Sequence, residues 1–258
     1  MNTIKNKINN YFKDFTKYFF VIILYLLYQS NFLLSLISSY GLNVNKIART
    51  PRIFLFTLID LLHILIILFM FRNEIKKGLK DLKENFSDNA LISIKCWMIG
   101  SIVMITSSWL ITMFTKQNVS ENEKLVRESI KLAPLYMLFS CSIVAPIFEE
   151  MVFRRALYGI LRFKWLFILV SGLGFGFLHV LGSYKSPVDF LYVIPYGAMG
   201  SAFAYLLTKT KNITLPIIIH MVHNTILVTV QIIGGLLWKK KKKKKRKRKN
   251  LNFISNYC

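Results

Sequence analysis

What the 258-residue chain lacks narrows it first. Its three cysteines, Cys96, Cys141 and Cys258, are too widely spaced for a metal knuckle or a disulfide framework. Only 18% of its residues are charged, too few for a disordered chain. Twelve glycines and six prolines are far short of collagen. There are 12 acidic residues against 35 basic ones, so the formal charge is +23. That balance alone suggests a nucleic-acid binder, but eleven of the basic residues form one block, Lys239 to Lys249. Without the block, 24 basic residues face the 12 acidic ones, a charge of +12. What the chain has instead is apolar: 54% hydrophobic residues and a mean hydropathy of +0.44, above the range of soluble domains.

Stretches nearly free of Asp, Glu, Lys and Arg run Tyr18–Tyr40, Ile53–Phe71 (interrupted only by Asp60), Cys96–Thr115, Leu132–Phe148, Trp165–Tyr184, Phe190–Thr208 and Asn212–Trp238. Each is about long enough to cross a bilayer as a helix. None alternates with the period of a barrel strand, so helices are the way to satisfy backbone groups in lipid. The fold class is therefore all-α, a polytopic membrane helix bundle of seven or eight spans. Residues 1–131 are expected to hold N-terminal spans and loops, 132–238 a functional core, and 239–258 a polybasic tail. The first span follows Lys5, Lys7, Lys13 and Lys17 like a signal peptide, yet its length reads as an uncleaved helix. Basic loops at Arg72–Asp88 and Arg154–Lys164 favour an inside N-terminus, although seven spans then leave the tail outside. The tail reads either as an anionic-lipid contact or as A-rich coding sequence in a slipped frame.

Polar groups inside the apolar runs are the functional candidates, because each costs at least about 2.5–3.5 kcal/mol to insert. All four histidines lie there: His63, His179, His220 and His223. So do Asp60, Glu149 and Glu150. Glu150 and Arg154 are four apart and share a helical face, while Glu149 is rotated about 100° away. Taken alone, this cluster reads equally as a helix end meeting water or as a carboxylate base. Phe175 and His179 share a face, as do His220 and Asn224; each is either a helix-to-helix hydrogen bond or a reactive group. Together they form an inventory for activating water and stabilising a tetrahedral intermediate. Asp60 and His63, one turn apart, pair with each other or line an entry. Gly172/Gly176 and Gly197/Ser201 mark close helix contact. Pro146, Pro195 and Pro216 predict kinks that free a carbonyl.

Glu-Glu-x-x-x-Arg (Glu149, Glu150, Arg154), Phe-x-x-x-His (Phe175, His179) and His-x-x-x-Asn (His220, Asn224), in that order on apolar helices, resemble the CAAX protease and bacteriocin-processing family. These are intramembrane endopeptidases, also called Abi-type proteases. The resemblance covers about residues 132–230. It implies that Glu149 and His179 activate the attacking water, that His220 and Asn224 form the oxyanion hole, and that Glu150 and Arg154 support the site. It also implies eight spans, a chamber open toward cytosol and lipid, and a glutamate-dependent mechanism with no cofactor. Zinc stays open on the residues themselves, since Glu149, Glu150, His179, His220 and His223 supply enough ligands, though no His-Glu-x-x-His is present.

The expected partners are the lipid bilayer and a membrane peptide or protein substrate: a leader, a pheromone, a bacteriocin precursor or a CAAX-like end. Nucleic acid is not among them, because a lysine run binds any polyanion and this one adjoins a membrane helix. The Lys, Asn, Ile and Phe bias points to an A/T-rich genome and a bacterial cell membrane. Ser255-Asn256-Tyr257-Cys258 puts Cys last and is not itself a CAAX box. A non-catalytic immunity or scaffold protein and a proton-coupled transporter are the alternatives, the latter disfavoured by the lack of repeated halves. Nothing in the sequence sets the oligomeric state.

Overall fold

The computed structural model describes the backbone of residues 2–40, 46–161 and 163–255; the side chains of 2–13, 239 and 243–255 lie outside the described set. Among the described residues every regular element is helical. In chain order these are α1 (Asn2–Gln29), α2 (Phe32–Ser39), α3 (Arg49–Met70), α4 (Arg72–Glu84), α5 (Phe86–Thr115), α6 (Glu121–Leu132), α7 (Pro134–Ile160), α8 (Lys164–Leu181), α9 (Val193–Thr210, entered through a 3-10 turn at Pro187–Tyr192) and α10 (Thr214–Ser255).

Six of these helices are long and apolar enough to cross a membrane: α3, α5, α7, α8, α9 and the Thr214–Lys242 part of α10. The first charge-free run is broken. It bends by 59° between α1 and α2, at Asn31, whose φ of 53° is left-handed. Counted as one span, this bent pair makes seven, and no eighth span occurs among the described residues. Exposed Phe54, Leu65, Trp109, Phe114, Trp165 and Leu169 suit contact with lipid. The backbone of α10 stays helical through Lys239–Lys249, most of whose side chains lie outside the described set.

The packing centre is α7. Val144, Phe148, Met151 and Ala156 are fully enclosed by Tyr18, Val21 and Tyr25 of α1, Ile64 and Ile67 of α3, Phe167 of α8 and Ala204 and Leu207 of α9. The span does not stop at Glu149, where charge counting ends it. It continues to Ile160 because Glu150 and Arg154 neutralise each other inside the bundle. The reading of that cluster as a helix end in water is thereby overturned, since both side chains are 0% exposed.

Helices α8 and α9 meet along their small residues, as the spacing predicts. A Cβ on Gly172 would strike the Ser201 hydroxyl and sit 3.0 Å from the Gly197 carbonyl; one on Gly176 would sit 2.5 Å from the Val193 carbonyl. The prolines divide. Pro195 and Pro216 fall in the first turns of α9 and α10, where an N–H has no intrahelical partner, so neither interrupts a helix as the sequence led us to expect. Pro146 alone lies inside a helix. It follows a π-helical turn, Ser140–Val144, in which the Ala145 N–H bonds back to the Ser140 carbonyl. The next bond in that pattern would join the Cys141 carbonyl to residue 146, which has no N–H.

The two ends of the bundle differ. At one end Glu74 of α4 bridges Lys17 (2.8 Å) and Arg155, and Asn212 donates to the Gly78 carbonyl (2.9 Å) and to Asp81 (2.8 Å). At the other, Glu121 pairs with Lys124 and Lys185, and Gln231 donates to Glu123 at 2.7 Å. Ser120 caps α6 by accepting from the Glu123 N–H.

Candidate functional site

The three motifs converge. Helices α7, α8 and α10 bring Glu149, Phe175, His179, His220, His223 and Asn224 to the wall of one cavity of about 540 Å3. Its polar rim, with Asn118, Glu123, Arg127 and Gln231, lies at the end of the bundle away from α4.

Glu149 and Glu150 diverge as their 100° offset requires. Glu150 faces inward, 0% exposed, with Oε2 at 3.1 Å from Arg154 Nε. Its Oε1 accepts from His220 Nδ1 at 2.8 Å. Arg154 is held in turn by the Gly200 carbonyl (3.3 Å) and by the faces of Phe175 and Phe203, at 4.5 and 5.7 Å. Glu149 lines the chamber instead. Its buried Oε2 has no hydrogen-bond partner among the described residues and lies 3.7 Å from His220 Nε2. His220 is thus strung between two carboxylates, anchored by one nitrogen and aimed at Glu149 by the other.

His179 is oriented by its own helix. Its Nδ1 donates to the Phe175 carbonyl at 2.9 Å, and the ring is sandwiched between Phe175 (4.5 Å) and Tyr196 (4.6 Å). A carbonyl only accepts, so the proton is on Nδ1 and the neutral ring keeps a lone pair on Nε2. Asn224 donates one N–H to the Cys141 carbonyl at 2.8 Å. This is the carbonyl that Pro146 leaves without an intrahelical donor. One proline in α7 thereby creates the anchor that fixes an amide of α10.

Asp60 and His63 do not pair. Asp60 accepts from Tyr28 at 3.0 Å, and His63 Nδ1 donates to the Ile59 carbonyl at 2.7 Å. Both line a separate cavity of about 260 Å3, which shares Gln29 with the main chamber. The chamber also has residues that no sequence signal singled out: Gln29, Cys141, Tyr196 and the rim residues lie in ordinary apolar or loop contexts. Trp97 of α5 donates its indole N–H to His223 at 3.1 Å across 126 residues, a contact that local spacing cannot reveal. Among the described residues no three of His, Cys, Asp or Glu are grouped so as to hold a metal ion.

Fold and chamber together define the class: an integral membrane helix bundle with buried carboxylates and histidines gathered around an internal cavity. Comparison with known proteins agrees. Residues 131–226 match the family model of the type II CAAX prenyl endopeptidase, Rce1-like. The chain is 31% identical over 212 residues to "Membrane-embedded CAAX protease MroQ" of Staphylococcus aureus (strain USA300), covering 78% of this chain and 81% of that protein. It is 37% identical over 116 residues to "Putative membrane peptidase YdiL" of Bacillus subtilis (strain 168), spanning 44% of that relative's length. No solved structure matches the chain. The chain belongs to the membrane-embedded CAAX protease family, and it is an integral membrane protein of bacterial type.

Proposed function

We propose that the protein is an intramembrane endopeptidase that hydrolyses a peptide bond in a membrane-associated peptide or protein. The candidate substrates are a leader, a pheromone, a bacteriocin precursor or a CAAX-like end. The observation that carries this reading is the arrangement around Glu149: an unpartnered carboxylate oxygen, buried, in a chamber it shares with the lone-pair nitrogen of His179. A water between them gives up its proton to Glu149 while the hydroxide oxygen attacks the peptide carbonyl carbon. The carbonyl oxygen gains the negative charge, which the free N–H of Asn224 stabilises from α10 together with His220, once its Nε2, 3.7 Å from Glu149, shares the proton that Glu149 has taken. The tetrahedral intermediate collapses when the proton passes to the amide nitrogen, which leaves as the amine. Glu150 and Arg154 act one layer behind, by holding His220, and Phe175 supports both Arg154 and His179. Residues 132–238 form the core in this reading, with no cofactor required.

Comparative peptidomics of cells carrying the wild-type protein or Glu149→Gln tests it. Wild-type cells should contain membrane-derived peptide ends that the variant lacks. Identical peptide inventories, with a phenotype that survives both Glu149→Gln and His179→Ala, would leave the non-catalytic immunity or scaffold role instead.

A further inference from the structure

The three histidines of the chamber differ in which nitrogen carries the proton, and the difference can be read from their partners. His179 and His220 each commit Nδ1–H to an oxygen, the Phe175 carbonyl and the Glu150 carboxylate. His223 is the reverse. Its Nδ1 faces Trp97 Nε1 at 3.1 Å, and an indole N–H can only donate. Nδ1 must therefore be the acceptor, and neutral His223 carries its proton on Nε2. The ring is 9% exposed and lines the chamber, and Nε2 has no partner among the described residues. By contrast His220 lies between two carboxylates, and Asn224 has given one N–H to Cys141. His223 is thus a chamber group with an uncommitted neutral N–H whose tautomer is fixed from another helix.

We propose that His223 Nε2–H is a further donor, beside His220 and Asn224, to the carbonyl oxygen of the peptide bond that is cut, with Trp97 as the positioning residue that keeps the proton on that nitrogen. This deepens the proteolytic reading and rests on it. A neutral donor suits this role, because it neither competes with Glu149 for the water's proton nor gives up its own as charge builds on the oxygen. No bond to His223 forms or breaks; the water supplies the new oxygen and both protons of the products.

Two substitutions separate this role from simple packing of α10 on α5. Asparagine places its polar atoms near the position of Nδ1, so His223→Asn keeps an acceptor for Trp97 and gives up the chamber donor. Glutamine reaches the position of Nε2, so His223→Gln keeps the chamber donor and gives up the acceptor. The full chain, purified and reconstituted, is mixed with membrane vesicles from a strain lacking the gene, and new peptide ends are quantified by mass spectrometry. Thermal unfolding is followed for each variant. Loss of one such donor costs roughly 100-fold in rate, so His223→Asn should fall by about that much, while His223→Gln stays within roughly tenfold of wild type. The opposite order would mean that His223 only ties two helices together, and equal behaviour of the two variants, active or impaired, would also overturn the proposal. A Glu149→Gln control separates the two levels. If wild type yields no new peptide ends the proteolytic reading fails, and if Glu149→Gln cleaves like wild type the role of Glu149 in it fails; if wild type cleaves, Glu149→Gln is inactive and the His223 variants behave otherwise than expected, only the role of His223 fails.

Discussion

Replacing Arg154 with methionine should destabilise the bundle far more than an ordinary core substitution. Methionine fills the space of the arginine stem only as far as Nε, so the guanidinium contacts with Phe175 and Phe203 disappear together with the charge. Glu150, 0% exposed, loses the guanidinium 3.1 Å away and keeps only His220. Breaking a buried ion pair by removing one partner costs about 3–5 kcal/mol. That is between roughly a hundredfold and a few thousandfold in the unfolding equilibrium. The partner experiment sharpens the point. Arg154→Met with Glu150→Leu removes both charges, and apolar replacement of a whole buried pair is commonly neutral or stabilising by about 1–4 kcal/mol. The double variant should therefore regain stability. It should not regain activity, because His220 Nδ1 has lost its 2.8 Å anchor. Unfolding by denaturing detergent, followed by helical circular dichroism, gives the stabilities, and peptide cleavage by the same preparations gives the activity. A single variant as stable as wild type, or a double variant less stable than the single, would refute the reasoning.

Other outcomes follow from the same contacts. Gly172→Ala drives a methyl into the Ser201 hydroxyl and toward the Gly197 carbonyl, so it should cost about 1–3 kcal/mol, and Ser201→Gly should recover part of the loss in the same unfolding assay. Asn224→Ala leaves the Cys141 carbonyl unpaired at a cost of about 1–3 kcal/mol. Adding Pro146→Ala, which supplies an intrahelical N–H, should lessen that cost; strictly additive losses would break the proposed link between the proline and the amide. Burial raises the Glu74 carboxyl, but the hydrogen bonds and charges of Arg155 and Lys17 outweigh it, so its pKa lies below the ordinary value of 4.5. A lowered carboxylate stabilises the fold fully above its unfolded pKa, and the contribution disappears as pH falls through the folded one. The stability gap between wild type and Glu74→Gln should therefore be constant above about pH 5 and shrink on acidification below it; a gap independent of pH would show that the bridge carries no net linkage.

Most spans were legible because lipid forbids unpaired charge, so charge-free runs mark them. The failures have physical causes. The run Tyr18–Tyr40 hides a bend, because Asn31 turns the chain through a left-handed conformation that hydropathy does not register. The run ending at Phe148 was cut short, because an ion pair four residues apart cancels its own charge and stays inside. Helical spacing separated Glu149 from Glu150 and put Phe175 over His179, since both depend only on helix geometry. It could not show that His220 spans both carboxylates, that Asn224 is tied to a carbonyl orphaned by Pro146, or that Trp97 sets the tautomer of His223. Those contacts join different helices, and only packing reveals them.

The central claim, that Glu149 activates water for peptide hydrolysis, is tested most directly by purified protein in lipid nanodiscs. A membrane peptide identified by peptidomics is incubated with wild type or with Glu149→Gln of equal thermal stability, and the products are weighed by mass spectrometry. Wild type should yield two fragments whose masses sum to the peptide plus one water, and the variant should yield neither. Fragments appearing at the wild-type rate with Glu149→Gln would contradict the claim.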